Sequence, residues 1–234
     1  MSFHDDDLSN LRSAHRPVLI DALLPGRPGP RTESFYALWG KPFVDIVLIL
    51  LAAPIILTIV LISAALVALD GHNPFYTQER VGKDGRVFHI FKLRSMVPNA
   101  DALLAEHLAR DPAAKLEWAQ TQKLRHDPRI TRIGRIIRKA SIDEMPQFLN
   151  VLKGDMSLVG PRPFMVSQRP LYFGRQYFDL KPGLSGLWQI STRNDSEFVA
   201  RVQFDELYAR QLSFGLDLRI MARTVAAMVR GTGC

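Results

Sequence analysis

IVLILLAAPIILTIVLISAALVAL, Ile46 to Leu69, holds no charged residue, and Asp45 and Asp70 bracket it. As an α-helix rising ~1.5 Å per residue, this run would reach roughly 36 Å, enough for a bilayer core of about 30 Å. A buried helix of a soluble domain rarely stays free of charge for so long. A signal peptide would start earlier and behind a shorter charged segment. Pro54 lacks a backbone donor and clashes one turn back, which predicts a kink between a short arm, Ile46 to Ala53, and a longer one, Ile55 to Leu69. Two topologies are then open: one bent helix that spans, or a re-entrant hairpin that leaves by the face it entered. Phe35, Tyr36, Trp39 and Phe43 before the run, with Phe75 and Tyr76 after it, suit interfacial anchoring at both ends. Bases flank both ends too: Arg27, Arg31 and Lys41 before, Arg80, Lys83 and Arg86 after. A span gathers positive charge on one side, so this arrangement leans toward the hairpin.

Outward from that run, the chain of 234 residues is long enough for one core plus an appendage. Its formal net charge is +7, while residues 1–41 hold five bases and five acids, so the excess lies after them. That balance suits nucleic acid, an anionic membrane surface or a phosphorylated substrate. The single cysteine, Cys234, excludes a disulfide framework or a zinc cluster within the chain, and its terminal position excludes a prenylation box. Residues 1–34, with Asp5 to Asp7 and PGRPGP at Pro25 to Pro30, read as a loose tail.

After the apolar run, Asp84-Gly85 in TQERVGKDGRVFHIFKLRS is a turn signal between two extended segments. On the second strand Lys92 and Arg94 are two residues apart, so both face one side and could form an anion-binding edge. Helices are expected from Asn99 through ADALLAEHLAR to a break near Asp111-Pro112, and again over KLEWAQTQKL. In HDPRITRIGRIIRKA, Arg129, Arg132, Arg135 and Arg138 recur every three residues between Ile130, Ile133 and Ile136. On a helix, weakened by Gly134, that makes adjoining basic and apolar stripes suited to a membrane surface or to an ordinary solvated face.

SIDEMPQ, Ser141 to Gln147, places two carboxylates side by side. Ser141 with Glu144 fits a capping box; Asp143 as the cap would instead put Pro146 in the tolerant first turn. Both registers set the acids at a helix N-terminus, where the macrodipole favours their charge, and Gly154 can close that helix. Further on, Gly160-Pro161-Arg162-Pro163 sets an arginine on a stiff loop, a geometry that holds phosphate in two-pronged fashion.

Taken together, RKASIDEMPQFLNVLKGDMSLVGPRP resembles the signature of the bacterial sugar transferases, monotopic phosphoglycosyl transferases that start exopolysaccharide or O-antigen assembly. FKLRSM (Phe91 to Met96), DPRITRIGR (Asp127 to Arg135) and KPGLSGLWQISTR (Lys181 to Arg193) continue the match in order, over roughly residues 40–234. The resemblance implies transfer of a hexose-1-phosphate from a UDP-sugar to undecaprenyl phosphate, with release of UMP. It implies that Asp143 is the nucleophile and forms a phosphosugar-aspartyl intermediate, with Glu144 beside it and Mg²⁺ held by Asp143 and Glu144. A helix end and Arg138 would keep the pKa of Asp143 low. Lys92, Arg94, Arg138 and Arg162 are candidate phosphate contacts, with Arg193 a weaker one; Trp188 and Gln189 are candidates for the nucleotide or sugar pocket, with a core role equally open for Trp188.

The resemblance also implies an α+β, mostly helical fold. A helix-break-helix that re-enters the membrane, breaking at Pro54, would occupy residues 41–71 after a flexible tail over 1–40. A cytoplasmic catalytic domain over 72–234 would carry the β-hairpin and amphipathic interfacial helices, on the inner face of a bacterial cytoplasmic membrane. Ala53 departs from the family, whose members often have Ser before that proline. The chain resembles the short form, for which a homodimer is a candidate state. LRIMARTVAAMVR, Leu218 to Arg230, could lie on the lipid surface or pack on the core. The competing class is a basic membrane-anchored binding protein without catalysis; among enzymes, a polyprenyl phosphatase or lipid kinase. No nucleic-acid motif, P-loop, HExxH or paired-Cys site is present, and nucleic acid is not an expected partner. The sugar is not legible; galactose and glucose are favoured, and acetamido sugars stay open.

Overall fold

The computed structural model describes residues 32–121, 124–191 and 198–229. Residues 1–31 of the expected tail and the candidate Arg193 lie outside them. The described chain is mostly helical, with two small sheets and one long apolar helix, Tyr36–Ala68, which is long and apolar enough to cross a membrane.

That helix begins with a π-helical turn, Tyr36–Gly40, and continues as α1, Lys41–Ala68. The break expected at Pro54 is absent: α1 is helical on both sides of it and through it. A proline withholds one backbone donor, and a helix tolerates that loss when its neighbours compensate. The carbonyl left without its amide donor is that of Leu50, one turn back; the Thr58 hydroxyl adds a separate bond, to the Pro54 carbonyl, at 2.9 Å. Both arms of α1 nevertheless lean on the rest of the chain. Ile49 packs with Ile90, Val151 and Met156, and Val60, Ala64 and Val67 pack with Leu93 and Ile137. Between them Leu50, Leu51, Ile55 and Leu57 are exposed.

Strands β1, Phe75–Val81, and β2, Val87–Leu93, form the hairpin that Asp84-Gly85 predicts. Asp84 and Gly85 both have positive φ, 57° and 74°, the conformation that Asp-Gly tolerates and most residues resist. Next come α2, Ala100–Arg110, and α3, Pro112–Thr121. The break between them is where the sequence puts it, and Asp111 caps α3 by accepting from the amides of Ala113 and Ala114. Asn99 precedes α2 as expected, but in a left-handed conformation and without a side-chain cap bond.

The basic stripe is shorter than its spacing suggests. Helix α4 covers Arg132–Lys139, with the Thr131 hydroxyl accepting from the Gly134 amide. Arg129 lies before it, buried, paired with Asp127 at 2.7 Å and stacked over Trp118. Gly134 is needed for approach, since a Cβ there would lie 1.9 Å from the Ser95 carbonyl oxygen. Ile137 is buried against α1, whereas Ile136 faces outward beside exposed Arg132 and Arg135.

The remaining elements include a 3₁₀ segment, Ile142–Gln147; α5, Phe148–Lys153; β3, Ser157–Val159; β4, Gly183–Ser185, parallel to β3; α6, Leu187–Ser191; α7, Arg201–Gln211; and α8, Phe214–Val229, with short 3₁₀ turns between some of them. Helix α8 buries Ile220 and packs Leu216 and Met221 against Val159 and Tyr208, so its apolar face serves the core.

Candidate active site

The acidic pair does not cap a helix. Ser141 is left-handed (φ 56°) with no side-chain cap bond, and Asp143 and Glu144 lie inside the 3₁₀ segment together with Pro146. Neither expected register occurs; α5 starts only at Phe148, and Gly154 closes it with φ 84° as expected. Tertiary ion pairs outweigh local capping here. Lys92 Nζ lies 2.8 Å from Glu144 Oε1 and 3.7 Å from Asp143 Oδ2. Arg162 grips Glu144 with both prongs, Nη2 to Oε1 at 2.8 Å and Nη1 to Oε2 at 3.4 Å. So three distant segments, FKLRSM, SIDEMPQ and GPRP, converge on one carboxylate.

The two acids therefore differ. Burial works against the Glu144 charge, but Arg162 and Lys92 more than offset it and hold that carboxyl well below its usual range. Asp143 is buried, accepts no hydrogen bond among the described residues, and has Lys92 as its one near ion pair. Burial pushes its carboxyl above the usual range; Lys92, Arg138 and Arg162 oppose that, and the Glu144 charge adds to it. The expected lowering by a helix end is thus reversed, because no helix starts at Asp143 and desolvation dominates.

Local packing sets this geometry. The Asn150 side chain, fully buried, accepts from the Phe91 amide at 3.1 Å and donates to the His89 carbonyl at 2.7 Å, stitching α5 to β2. The Arg162 loop is clasped by KPGLSG. The Gly160 amide donates to the Ser185 carbonyl and the Gly183 amide to the Pro161 carbonyl, both at 2.8 Å. A Cβ on Gly183 would lie 2.0 Å from the Gly160 nitrogen, so backbone meets backbone there. From the other side buried Arg201 donates to the Arg162 carbonyl. Its guanidinium sits 5.1–5.9 Å from the ring centres of Phe164, Tyr172, Trp188 and Phe198. Asp205 lies 3.9 Å from it and accepts from the Tyr172 hydroxyl at 2.8 Å; burial pushes the Asp205 carboxyl up to about 6 against both partners.

The pocket beside the pair is lined by Arg80, Ile90 and Lys92 of the hairpin, Glu144 and Gln147 of the 3₁₀ segment, Arg162 and Pro163, and Gly183 and Leu184. Lys92 and Arg162 thus stand together with Asp143 and Glu144. Arg138 acts on Asp143 through its charge, without a direct bond. Arg94 does not join them, although it follows Lys92 by two. Strand β2 ends at Leu93, and Arg94 turns to Asp70, pairing at 2.6 and 2.7 Å, and to the Val67 and Asn73 carbonyls, which finishes the C-terminal end of α1. Gln189 donates to the Leu184 carbonyl from behind the pocket wall, and Trp188 stacks on Arg201. Arg80, Asn150 and Arg201 were not candidates. The strand register of QER could have flagged Arg80; nothing local marks the other two.

The donor set suits a magnesium ion in part. No group of three or more His, Cys, Asp or Glu side chains gathers among the described residues. Asp143 offers an uncommitted carboxylate, while both Glu144 oxygens already accept from cations. Magnesium commonly takes one or two carboxylates and completes its shell with substrate phosphates, which this site could accommodate.

Comparison with known proteins matches residues 36–231 to the bacterial sugar transferase family. Among curated relatives, the UDP-galactose-lipid carrier transferase of Erwinia amylovora is 45% identical over 191 residues, covering 81% of this chain and 40% of the relative. The undecaprenyl-phosphate galactose phosphotransferase of Salmonella typhimurium is 46% identical over 169 residues, 71% of this chain and 36% of the relative. The chain therefore spans less than half the length of these two. The exopolysaccharide production protein ExoY of Sinorhizobium fredii is 41% identical over 197 residues, 83% of this chain and 87% of the relative. The matched span takes in the apolar helix, the hairpin and all three segments that meet at Glu144, and the chain belongs to the bacterial sugar transferase family.

Proposed function

We propose that the chain transfers a hexose-1-phosphate, galactose favoured, from a UDP-sugar to undecaprenyl phosphate and so initiates exopolysaccharide synthesis. One observation carries this reading: of two adjacent carboxylates, Glu144 is locked by Lys92 and Arg162, while Asp143 accepts no hydrogen bond among the described residues. A nucleophile needs its lone pairs free, and phosphoryl transfer needs fixed cations around the reacting phosphorus. The names of relatives that act on UDP-galactose and undecaprenyl phosphate support the choice of substrates.

In the first step an Asp143 oxygen attacks the β-phosphorus of the UDP-sugar. The bond from that phosphorus to the bridging oxygen breaks, its electron pair leaves with UMP, and a mixed anhydride of phosphosugar and Asp143 remains. In the second step an oxygen of the lipid phosphate attacks the same phosphorus and Asp143 departs as carboxylate. Lys92, between the two acids, neutralises charge at the reacting phosphate; Arg162, fixed by Arg201 and the glycine clasp, orients it; Arg138 acts through its charge. Magnesium, when bound with the diphosphate, would supply further charge neutralisation, with Asp143 as the residue free to hold it. Membrane placement fits this scheme. With both arms of α1 against one domain, a re-entrant insertion would keep the pocket at the cytoplasmic surface, and Ile136 with Arg132 and Arg135 would meet lipid.

Incubation with a panel of UDP-sugars, without lipid acceptor, tests the mechanism by mass spectrometry. A phosphohexose adduct on Asp143 with one equivalent of UMP is expected, and none in Asp143→Asn. Full activity of Asp143→Asn would sink it.

A further inference from the structure

The geometry points to Arg80 as a substrate-contacting residue: its guanidinium binds the UDP-sugar phosphate farther from Asp143, the one that departs as UMP. The inference rests on the transferase reading above. Register puts Arg80 on the working face of the hairpin. Tyr76 pairs with Lys92, Gln78 with Ile90 and Arg80 with Phe88, and directly paired residues point to the same side. Arg80, Ile90 and Lys92 accordingly line one wall. The rows of Lys92 and Arg80 are four residues apart, roughly 13 Å along the strands. Lys92 holds the end next to Asp143, so Arg80 holds the far end.

Charge accounting gives Arg80 something to bind. Of the three pocket cations, Lys92 and Arg162 share Glu144 at 2.8 Å each. Arg80 has no carboxylate within ion-pair distance among the described residues. It donates to the Gln78 side chain at 2.5 Å and the Glu79 main-chain carbonyl at 2.9 Å, both neutral and both on its own strand. A structural arginine ties elements together, as Arg94 and Arg201 do; Arg80 ties none. Burial lowers the pKa of its half-buried guanidinium and the like charge of Arg162 adds to that, while Glu144, with no ion pair to it, offsets part of it through its charge. A guanidinium stays charged all the same, and a phosphate would relieve both penalties with two parallel bonds. Negative charge grows on the departing UMP phosphate during the first step, so Arg80 also stabilises the leaving group.

The test titrates the full chain in nanodiscs with inorganic pyrophosphate, UMP, uridine and UDP-galactose, comparing wild type, Arg80→Lys and Arg80→Gln. Arg80→Gln should weaken UMP and pyrophosphate at least about tenfold, leave uridine unchanged, and keep the thermal midpoint because its bonds are confined to one strand. Arg80→Lys should fall between, as a point charge without the fork. In turnover, Arg80→Gln should lower kcat as well as raise KM. Equal UMP and pyrophosphate affinities in wild type and Arg80→Gln would overturn the assignment, as would failure of the wild type to bind either. Binding of pyrophosphate that depends on Arg80, without binding of UMP or UDP-galactose, would keep Arg80 as a phosphate contact and overturn the UDP-sugar reading.

Discussion

Asp143 and Glu144 are adjacent in the chain, yet their charges bear on stability with opposite sign. Burial raises the Asp143 carboxyl above its ordinary ~3.9, so its contribution is fully present below that value and is lost as pH rises through the raised folded one. Glu144, held low by Arg162 and Lys92, contributes above its ordinary ~4.3, and that is lost as pH falls through the depressed folded value. At neutral pH Asp143→Asn should therefore abolish transfer and raise the melting temperature by about 2–4 °C, the shift that ~1 kcal/mol produces in a chain of this size. Glu144→Gln strands Lys92 and Arg162 and should lower it by roughly 4–8 °C, for a loss of about 2 kcal/mol. Differential scanning calorimetry checks both signs; a fall in Asp143→Asn would contradict the burial argument. Kinetics supplies a second check. The acid limb of the first half-reaction should lie above the usual aspartate range, and Glu144→Gln, by removing a neighbouring negative charge, should move it to lower pH.

Among the elements, legibility followed the length of the signal. The hairpin and the α2–α3 break were readable because Asp84-Gly85 and Asp111-Pro112 carry their geometry locally. Strands β3 and β4, three residues each and joined across the chain, are too short for any periodicity to announce. The side-by-side placement of Lys92 and Arg94 failed because alternation stops with the strand at Leu93. Capping of SIDEMPQ failed because a buried ion-pair network claims its acids. Gly134 shows how far local reading goes. Propensity alone says that Gly134→Ala stabilises α4 by ~1 kcal/mol. The Ser95 carbonyl 1.9 Å from the would-be Cβ says otherwise, and backbone cannot step aside like a flexible side chain. We expect Gly134→Ala to lower the chemical-denaturation midpoint, by more than the propensity gain. Asn150→Ala, which leaves a buried amide and carbonyl unpaired, should cost about 2–3 kcal/mol and loosen Lys92 from the acidic pair.

The molecule as a whole turns on how α1 meets the rest. Its first turns carry Lys41 and Asp45, both buried. Lys41 pairs with Asp217 of α8 at 2.6 Å, Asp217 also accepts from Tyr36 and Tyr208, and Asp45 accepts from Ser157 of β3 at 2.5 Å. Charged groups held this way belong inside the protein, not in hydrocarbon, so the N-terminal arm starts on the same body that receives the C-terminal arm through Val60, Ala64 and Val67. A spanning helix would have to tear one of these contacts away and leave Lys41 or Asp217 buried without its partner, at a cost of about 3–5 kcal/mol. The re-entrant placement proposed above would leave both intact and give lipid the exposed apolar residues along α1, from Phe43 and Ile46 through Leu51 and Ile55 to Ile62 and Leu66. The consequence is a topology that labelling can read. In a Cys234→Ser background, which removes the chain's one cysteine, Asn10→Cys in intact cells should resist a membrane-impermeant thiol reagent and react only after permeabilisation. A cysteine in the exposed β1–β2 turn, Lys83→Cys, should behave identically, because the proposed re-entry would put both on the cytoplasmic side. Labelling of residue 10 alone in intact cells would mean that α1 crosses the bilayer, and the polar contacts of Lys41 and Asp45 would then have to be broken in the membrane-bound protein.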